Sequence, residues 1–390
     1  TLSEKSFLIF TKDIKMPDPL IMGFRAQRQD WGEMTKNVVV WGTGNVGRLA
    51  IRAVSSHKDL NLSGVIVHND SKIGTDAGSI AGIDDLGVLA TDDIKIAESP
   101  EVDALVYTVN ADFRPDDSLS EILPVLRAGT NIVSTSFHPL LHPPSTPEPM
   151  RSQVLEACAE GNSSIFVSGI DPGWIIDVLP IFLASMVSNI TEVRAQEIAN
   201  YAGYDQPDAV RFLCGFGQPM EYDAPILTDW ALMQVWAPMI RVLADGFKVE
   251  LEEITTEVDK RPLEKDIFVE GMGDFETGTQ GALRFEVKGI VDGKPLLVVE
   301  HITRIDDDCA PDWPKNNPEG GFHNVILTGD PCLTVSVHGE DLIDPGAASG
   351  GNFTAANRIV NAVMPVCEAD PGIIHPLDLP NNLGSSQIKR

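Results

Sequence analysis

With 390 residues, 43% of them hydrophobic, the chain can bury a large core and is long enough for two domains rather than one. A formal net charge of −28 opposes nucleic-acid backbone and anionic lipid, so neither is expected as a general partner, although a locally basic cofactor pocket remains compatible with it. Five scattered cysteines without a Cys-x-x-Cys pair argue against a disulfide scaffold and a zinc site and fit a reducing compartment, and no apolar run approaches the ~20 residues of a membrane span.

Residues 1–33 read as a leader or extension ahead of Met34-Thr35-Lys36, which looks like a natural start. Ser6–Phe10 is too short for a signal h-region, and basic and acidic residues alternate around it. The expectation is a cytoplasmic protein, with organelle targeting by this leader left open.

Val38–Val40 is a β-branched run that reads as a buried strand and breaks at once into Gly42-x-Gly44-x-x-Gly47. Leu49, Ile51 and Val54 then follow at helical spacing. This is a dinucleotide cradle: one glycine for the tight turn, one for close approach of a pyrophosphate, one for packing of helix on strand. Gly42, Thr43, Gly44, Asn45, Val46 and Gly47 are therefore cofactor candidates. The next strand, Leu62–His68, ends in His68-Asn69-Asp70-Ser71-Lys72. With no acid at its tip, His68, Asn69 and Lys72 would tolerate a 2′-phosphate, so NAD or NADP is expected, Asp70 being the residue that argues against the second.

A short strand is expected in the stretch from Gly87–Ala90 to Ile94–Ala97, followed by a strand over Val102–Thr108, a helix over Asp116–Ala128 and a strand over Asn131–Ser136. This order means a Rossmann-type doubly wound parallel sheet, in which ligands bind outside the C-terminal strand ends. Thr108, Asn110, Ser134 and Ser136 then face the cofactor. After the proline-rich His138–Pro149 come a helix over Met150–Glu160, a strand over Ser164–Gly169, and an Asp171-Pro-Gly turn opening a helix over Trp174–Ser185. From Ile190 onward, alternating β-branched segments predict a second, α+β domain with an open, mostly antiparallel sheet. They are 191–200, 249–258, 265–269, 282–290, 295–305 and 332–338, with helices around 209–214 and 229–245. A helix over Phe353–Glu368 is expected to return to the first domain. The resulting division is 1–33, 34–188, 189–350 and 351–390.

Five segments carry a resemblance: Val39–Arg48, Gly129–Thr135, Gly169–Trp174, Glu300–Arg304 with Ala310–Pro314, and Pro371–Ile374 with Leu377–Pro380. On these the chain resembles the native NAD(P)H-dependent amine dehydrogenases, together with 2,4-diaminopentanoate dehydrogenase, whose N-terminal half is similar to dihydrodipicolinate reductase. The resemblance implies a homodimer and reductive amination of small aldehydes or ketones by ammonia, with its reverse, in a crevice between domains. The alternatives are a reductase of another C=N or C=O substrate, such as a diamino acid or cyclic imine, and a dinucleotide sensor without turnover. Family members commonly carry one or two acids directly after the strand equivalent to Ile132–Ser136; Phe137 and His138 stand there in this chain. The family's Asn-Pro-Gly turn is Asp171-Pro-Gly.

Reducing an iminium needs a group that favours the cationic C=N, and forming it needs a proton acceptor and a donor. His138 and Asp171, at predicted strand ends, are catalytic candidates; Asp171 could equally cap the helix after it. Glu197 is the third, because alternation places it on the face of Val193, Ala195 and Ala199, where an acid is costly unless paired or functional. An ion pair with a buried arginine is the competing explanation. Phe137, Trp174, Tyr201 and Phe216 are candidate walls of a small apolar substrate pocket. His301 and Arg304 read as packing or dimer-interface residues. No spacing suggests a metal, and no Gly-x-Ser-x-Gly elbow occurs.

Overall fold

Val38, Val39, Val40 and Trp41 are buried to within 1% of complete, and this all-apolar run is what places β1 (Lys36–Trp41) in the middle of a sheet covered on both faces. A computed structural model describes residues 35–111, 114–204, 206–315, 323–344, 349–379 and 384–387; the leader expected over 1–33 lies outside them. The partner strands of β1 are β2 (Leu60–Ile66), β3 (Ala90–Thr91), β4 (Ala104–Tyr107), β5 (Asn131–Ser134), β6 (Ser164–Val167) and, from the C-terminal stretch, β15 (Gly372–Ile374). All pair in parallel, in the order β15-β6-β5-β4-β1-β2-β3. The order reverses at β1, so the switch point lies where β1 and β4 end.

The crossover helices are α1 (Asn45–Ser56), α2 (Ala77–Ala81), α3 (Pro115–Arg127) and α4 (Met150–Gly161). Pro115 opens α3 and Gly129, at φ 95°, stops the chain after it. Ile122, Val125 and Leu126 of α3 join Val154 and Ala157 of α4 against Val39, Leu105, Ile132 and Ile165. Where the stretch 87–97 suggested one short strand, only β3 forms, and Ile94–Glu98 is a 3-10 turn started by the Asp93 side chain, which accepts from Lys95 N.

The helix expected over Trp174–Ser185 is shorter: α5 is Val178–Ala184, after a series of turns. The second sheet contains β7 (Ser188–Asn200), β8 (Glu253–Pro262), β11 (Gln280–Val291), β12 (Lys294–Arg304), β13 (His323–Asp330) and β14 (Leu333–Val337), while β9 (Ile267–Val269) and β10 (Gly273–Phe275) form a separate hairpin. Its order is β14-β13-β7-β12-β11-β8, antiparallel except where β12 meets β7. β13 was not anticipated: Asn324, Thr328 and Gly329 blur its alternation, and pairing to both β7 and β14 supplies what local preference does not.

Val193, Ala195, Phe285, Val287, Val299 and Val325 turn one face of this sheet to α7 (Ala237–Phe247), which contributes Met239, Ile240 and Leu243. α7 continues from α6 (Asp229–Ala231) through a π-helical turn over Leu232–Trp236. The other face carries charge: Arg194 Nη1 lies 2.6 Å from both Glu286 and Glu300.

The segment expected as one helix over 353–368 is two, α8 (Ser349–Val360) and α9 (Val363–Glu368). Pro365 lacks the N–H an uninterrupted helix would use, and it sits in the first turn of α9 where none is needed. α8 packs on α1, and α9 on β5 and β6. Just before α8, Asp341 meets Arg52 of α1 at 2.8 Å with both side chains buried, and Arg52 Nε also donates to Ala81 O at 2.6 Å. Asp341→Ala would leave that guanidinium buried without its counter-charge, and a loss of ~3–5 kcal/mol is expected in denaturant unfolding. The described residues form one compact unit, and no helix among them is long and apolar enough to cross a membrane.

Candidate active site

Gly42 sits at φ 101°, where a Cβ would come within 3.0 Å of the Thr108 backbone, so the turn requires glycine. A Cβ on Gly47 would lie 2.0 Å from Gly42 O. Gly47 therefore lets α1 approach the turn but does not itself line the crevice, which corrects its place among the cofactor contacts. Gly44 differs: nothing lies within 4 Å of its ideal Cβ, and it caps α1 without a side-chain hydrogen bond. Open space above a helix start with uncapped N–H groups fits a pyrophosphate.

Around this turn, Gly42, Thr43, Gly44, Asn45 and Val46 line a crevice of ≈1180 Å³ together with His68, Asn69, Lys72, Thr108, Asn110, Ser136 and His138. His68 Nε2 accepts from Trp41 Nε1 at 3.1 Å, and Lys72 Nζ donates to Thr43 O at 2.9 Å, drawing the tip of the second strand onto the glycine turn. The Ser136 hydroxyl donates to Val109 O. Ser134 does not reach the crevice: its buried hydroxyl donates to Tyr107 O and accepts from Ser136 N, which ends β5 there. Phe137 is likewise buried, its ring 5.5 Å from that of Tyr107, and is core rather than pocket wall.

The far end of the same crevice holds Asp171 and Glu197. Glu197 does lie on the apolar face of β7, but no arginine among the described residues pairs with it. Tyr201 Oη donates to its Oε1 at 3.1 Å, His301 Nε2 stands 3.8 Å from Oε1, and His323 Nε2 stands 3.6 Å from Oε2. Asp171 Oδ1 accepts from Trp236 Nε1 at 3.0 Å, and Oδ2 faces His301 Nδ1 at 3.8 Å. His301 thus stands between the two acids, stacked on Phe285 at 4.9 Å, which corrects its reading as a packing or interface residue. Arg304 is structural: it donates to the carbonyls of Cys309, Ala310 and Trp313.

Burial pushes the Asp171 carboxyl up, and the neighbouring Glu197 charge pushes it the same way. Glu197 is held low, to about 2, because His301 and His323 outweigh its burial. His301 is raised, the two carboxylates outweighing its burial. The site therefore sets one carboxyl pushed towards its protonated form beside one held towards its ionised form. Asp171 Oδ2 and His323 Nε2 are buried without a hydrogen-bond partner, and ligand atoms of Asp171, Glu197 and His323 all lie within 4.8 Å of one another. Buried polar atoms left without a partner beside an ionised carboxylate suit a polar or cationic group bound there.

Asp171 does not cap α5. Asp177 does, accepting from Val178 N, because the helix starts later than expected. Asp177 is fully buried and raised by burial from 3.8 to about 6. An acid raised on folding binds its proton more tightly in the native state, so its contribution is complete below pH 3.8 and is lost as pH rises towards about 6. Asp177→Asn, which keeps a capping oxygen, is expected to remove ~3 kcal/mol of that pH dependence in unfolding titrations, at 1.36 kcal/mol per pH unit.

Among the apolar candidates, Tyr201 lines the crevice, while Trp174 and Phe216 pack into the core beside it, Phe216 edge-on to Tyr201. The walls near the acids are instead Ile175, Tyr204, Leu213, Ile226, Val235 and Trp236. Leu213, Val235 and Trp236 come from two π-helical turns, Ala209–Leu213 and Leu232–Trp236, whose extra residue per turn re-aims side chains without ending the helix. The roles of His323 and His301 were not readable in the sequence because the acid they face, Glu197, is more than a hundred residues away along the chain; the strand pairs Glu197↔His301 and Glu197↔His323 bring them together.

Residues 36–136 match the family described as dihydrodipicolinate reductase, N-terminus. A protein named amine dehydrogenase from Streptomyces virginiae is 46% identical over 347 residues, which is 88% of this chain and 96% of that protein. The structure of amine dehydrogenase from Mycobacterium smegmatis superposes with a TM-score of 0.70 at 20% identity, covering 90% of this chain and 98% of that one, a likeness of fold.

Proposed function

The chain belongs to the amine dehydrogenase family, and from that premise we propose that it carries out NAD(P)H-dependent reductive amination of small, uncharged aldehydes or ketones with ammonia, and the reverse deamination. One observation carries the reading: a single crevice joins the open glycine turn to a buried pair of acids, Asp171 pushed up by burial and Glu197 held low by its histidines. Residues 34–188 and 351–390 would hold the nucleotide, and 189–350 the substrate. The bound nicotinamide supplies the hydride, or takes it up in the reverse direction.

The side chains do the rest. Glu197, ionised, accepts a proton from ammonium; Asp171, protonated, donates to the departing water, and the carboxylate this leaves on Asp171 faces the cationic C=N. His323 Nε2, 3.6 Å from Glu197 Oε2, helps keep that carboxylate ionised. His301 and Tyr201 hold the Glu197 carboxylate in place. The apolar walls exclude water, so these charges act in a low dielectric.

Lys72 is the one lysine or arginine among the described residues lining the crevice, and it lies on the glycine turn. No lysine or arginine of the described residues lines the crevice beside the acids to match a substrate carboxylate, and the His301 imidazole is already engaged by Glu197 and Asp171, which favours simple amines over amino acids and diamino acids. At the other end, His68, Asn69 and Lys72 leave room for a ribose 2′-phosphate, so both NAD and NADP are expected to serve. The family also suggests a homodimer, to be checked by light scattering.

The test is a panel of amines with each nucleotide, followed by absorbance of the reduced form. Turnover is expected with small uncharged amines and not with amino acids. Activity confined to amino acids would overturn the substrate reading, and tight nucleotide binding without turnover of any amine would favour a sensor.

A further inference from the structure

A second cluster lies apart from the crevice. His142, in the 3-10 turns after β5, Asp245, in the last turn of α7, and His375, just past β15, come together from three distant parts of the chain. We propose that these three side chains form a binding site for one divalent transition-metal ion of the zinc type.

Both imidazoles present Nε2 to the same carboxylate oxygen, Asp245 Oδ2, at 3.1 Å from His142 and 3.2 Å from His375. The three ligand atoms all lie within 4.8 Å of one another, and the two rings meet edge to face at 5.5 Å. Ligands that each sit ~2.0–2.2 Å from a tetrahedral zinc are themselves ~3.3–3.5 Å apart, so little movement is needed to close around an ion.

Hydrogen bonding alone accounts for only half of the arrangement. His142 Nε2 bonds to Asp245, but His375 Nε2, buried and at nearly the same distance, makes no hydrogen bond because its geometry misses the oxygen. An ion seated between the rings has no such angular demand on the carboxylate. Metal-bound rings keep their proton on Nδ1. For His142 an acceptor is already there, Ser145 Oγ at 2.7 Å, the outer-shell partner that fixes ring orientation. His375 must give up a 3.2 Å contact in which Leu377 N–H donates to its Nδ1, at the long end of the hydrogen-bond range.

The donor set selects the ion. Two imidazoles and a carboxylate suit zinc, nickel or cobalt and not magnesium, which prefers oxygen throughout. The C-terminal end of α7 adds a negative dipole, opposed by the charge of Arg241 one turn earlier. Asp245 is half exposed, which leaves water a fourth position. An ion here would tie the turn that begins at His138 to α7 and to the C-terminal stretch.

The experiment uses the untagged full-length chain, stripped with chelator, and titrates it with zinc by calorimetry and with cobalt by visible absorption. One zinc per chain, a tetrahedral cobalt spectrum and a raised unfolding temperature are expected. H142A, H375A and D245N should each lose all three, D245N being the conservative change whose fold is checked by circular dichroism. H323A should keep them. Absence of uptake by the stripped wild-type chain, or unchanged uptake by H375A and D245N, overturns the proposal; so does loss in H323A alone, which would place the ion at the acids of the crevice.

Discussion

Glu197→Gln is expected to lower turnover by about 10²–10⁴-fold while leaving nucleotide affinity unchanged, the range lost when a positioned general acid–base group is removed. The amide keeps the volume and can still accept from Tyr201 Oη, so the fold should stand. What disappears is the charge that His301 and His323 face and the acceptor for the ammonium proton. Asp171→Asn gives the complementary signature. With the acid raised by burial, the reductive reaction should fall off as pH rises and Asp171 ionises, because the donor to the departing water is lost. The Asn variant should be slow throughout and lack that limb. If Glu197→Gln keeps more than a tenth of the wild-type rate, the proton chemistry resides elsewhere, and His138, which also lines the crevice, becomes the next residue to replace.

The two inner glycines of the turn should fail in opposite ways. Gly47→Ala drives a methyl to 2.0 Å from the Gly42 carbonyl oxygen, a clash between backbones that no rotamer relieves. The expected result is a destabilised protein, by ~1–3 kcal/mol or more, in which α1 is pushed off its turn and nucleotide binding is lost with it. Gly44→Ala meets nothing within 4 Å, and its φ of −78° is open to any residue. Its unfolding free energy should change by no more than about 1 kcal/mol. Its methyl nevertheless points into the space offered to the pyrophosphate, so nucleotide affinity should drop at least ~10-fold, equivalent to 1.4 kcal/mol. Calorimetric binding set beside denaturant unfolding separates the two. Equal affinity in Gly44→Ala and the wild type would mean that the phosphates lie elsewhere.

The parallel sheet was legible because its signal is local. A buried strand must be apolar along its length, and a tight turn feeding a helix must be glycine, so Val38–Gly47 declares itself without reference to any other segment. The apolar setting of Glu197 was equally readable, since alternation along β7 is a property of β7 alone. Errors gathered where the decisive partner lay far away. A strand running to Ser136 would set Ser134 and Phe137 at the crevice; β5 instead ends at Ser134, whose hydroxyl bonds to Tyr107 O, and both side chains are buried. Asp171 was offered a helix to cap, and the helix began at Val178.

The residues around the acids show the same division. Sequence by itself determined the glycine turn, the parallel, doubly wound class of the first sheet and one acid in an apolar setting. Tertiary structure decided what that acid does, by pairing β7 with β12 on one side and β13 on the other and so setting His301 and His323 against it. The physical reason is that a charge's partners are fixed by distances of a few ångströms across strands, and those distances arise between residues more than a hundred positions apart, where no periodicity in the chain records them.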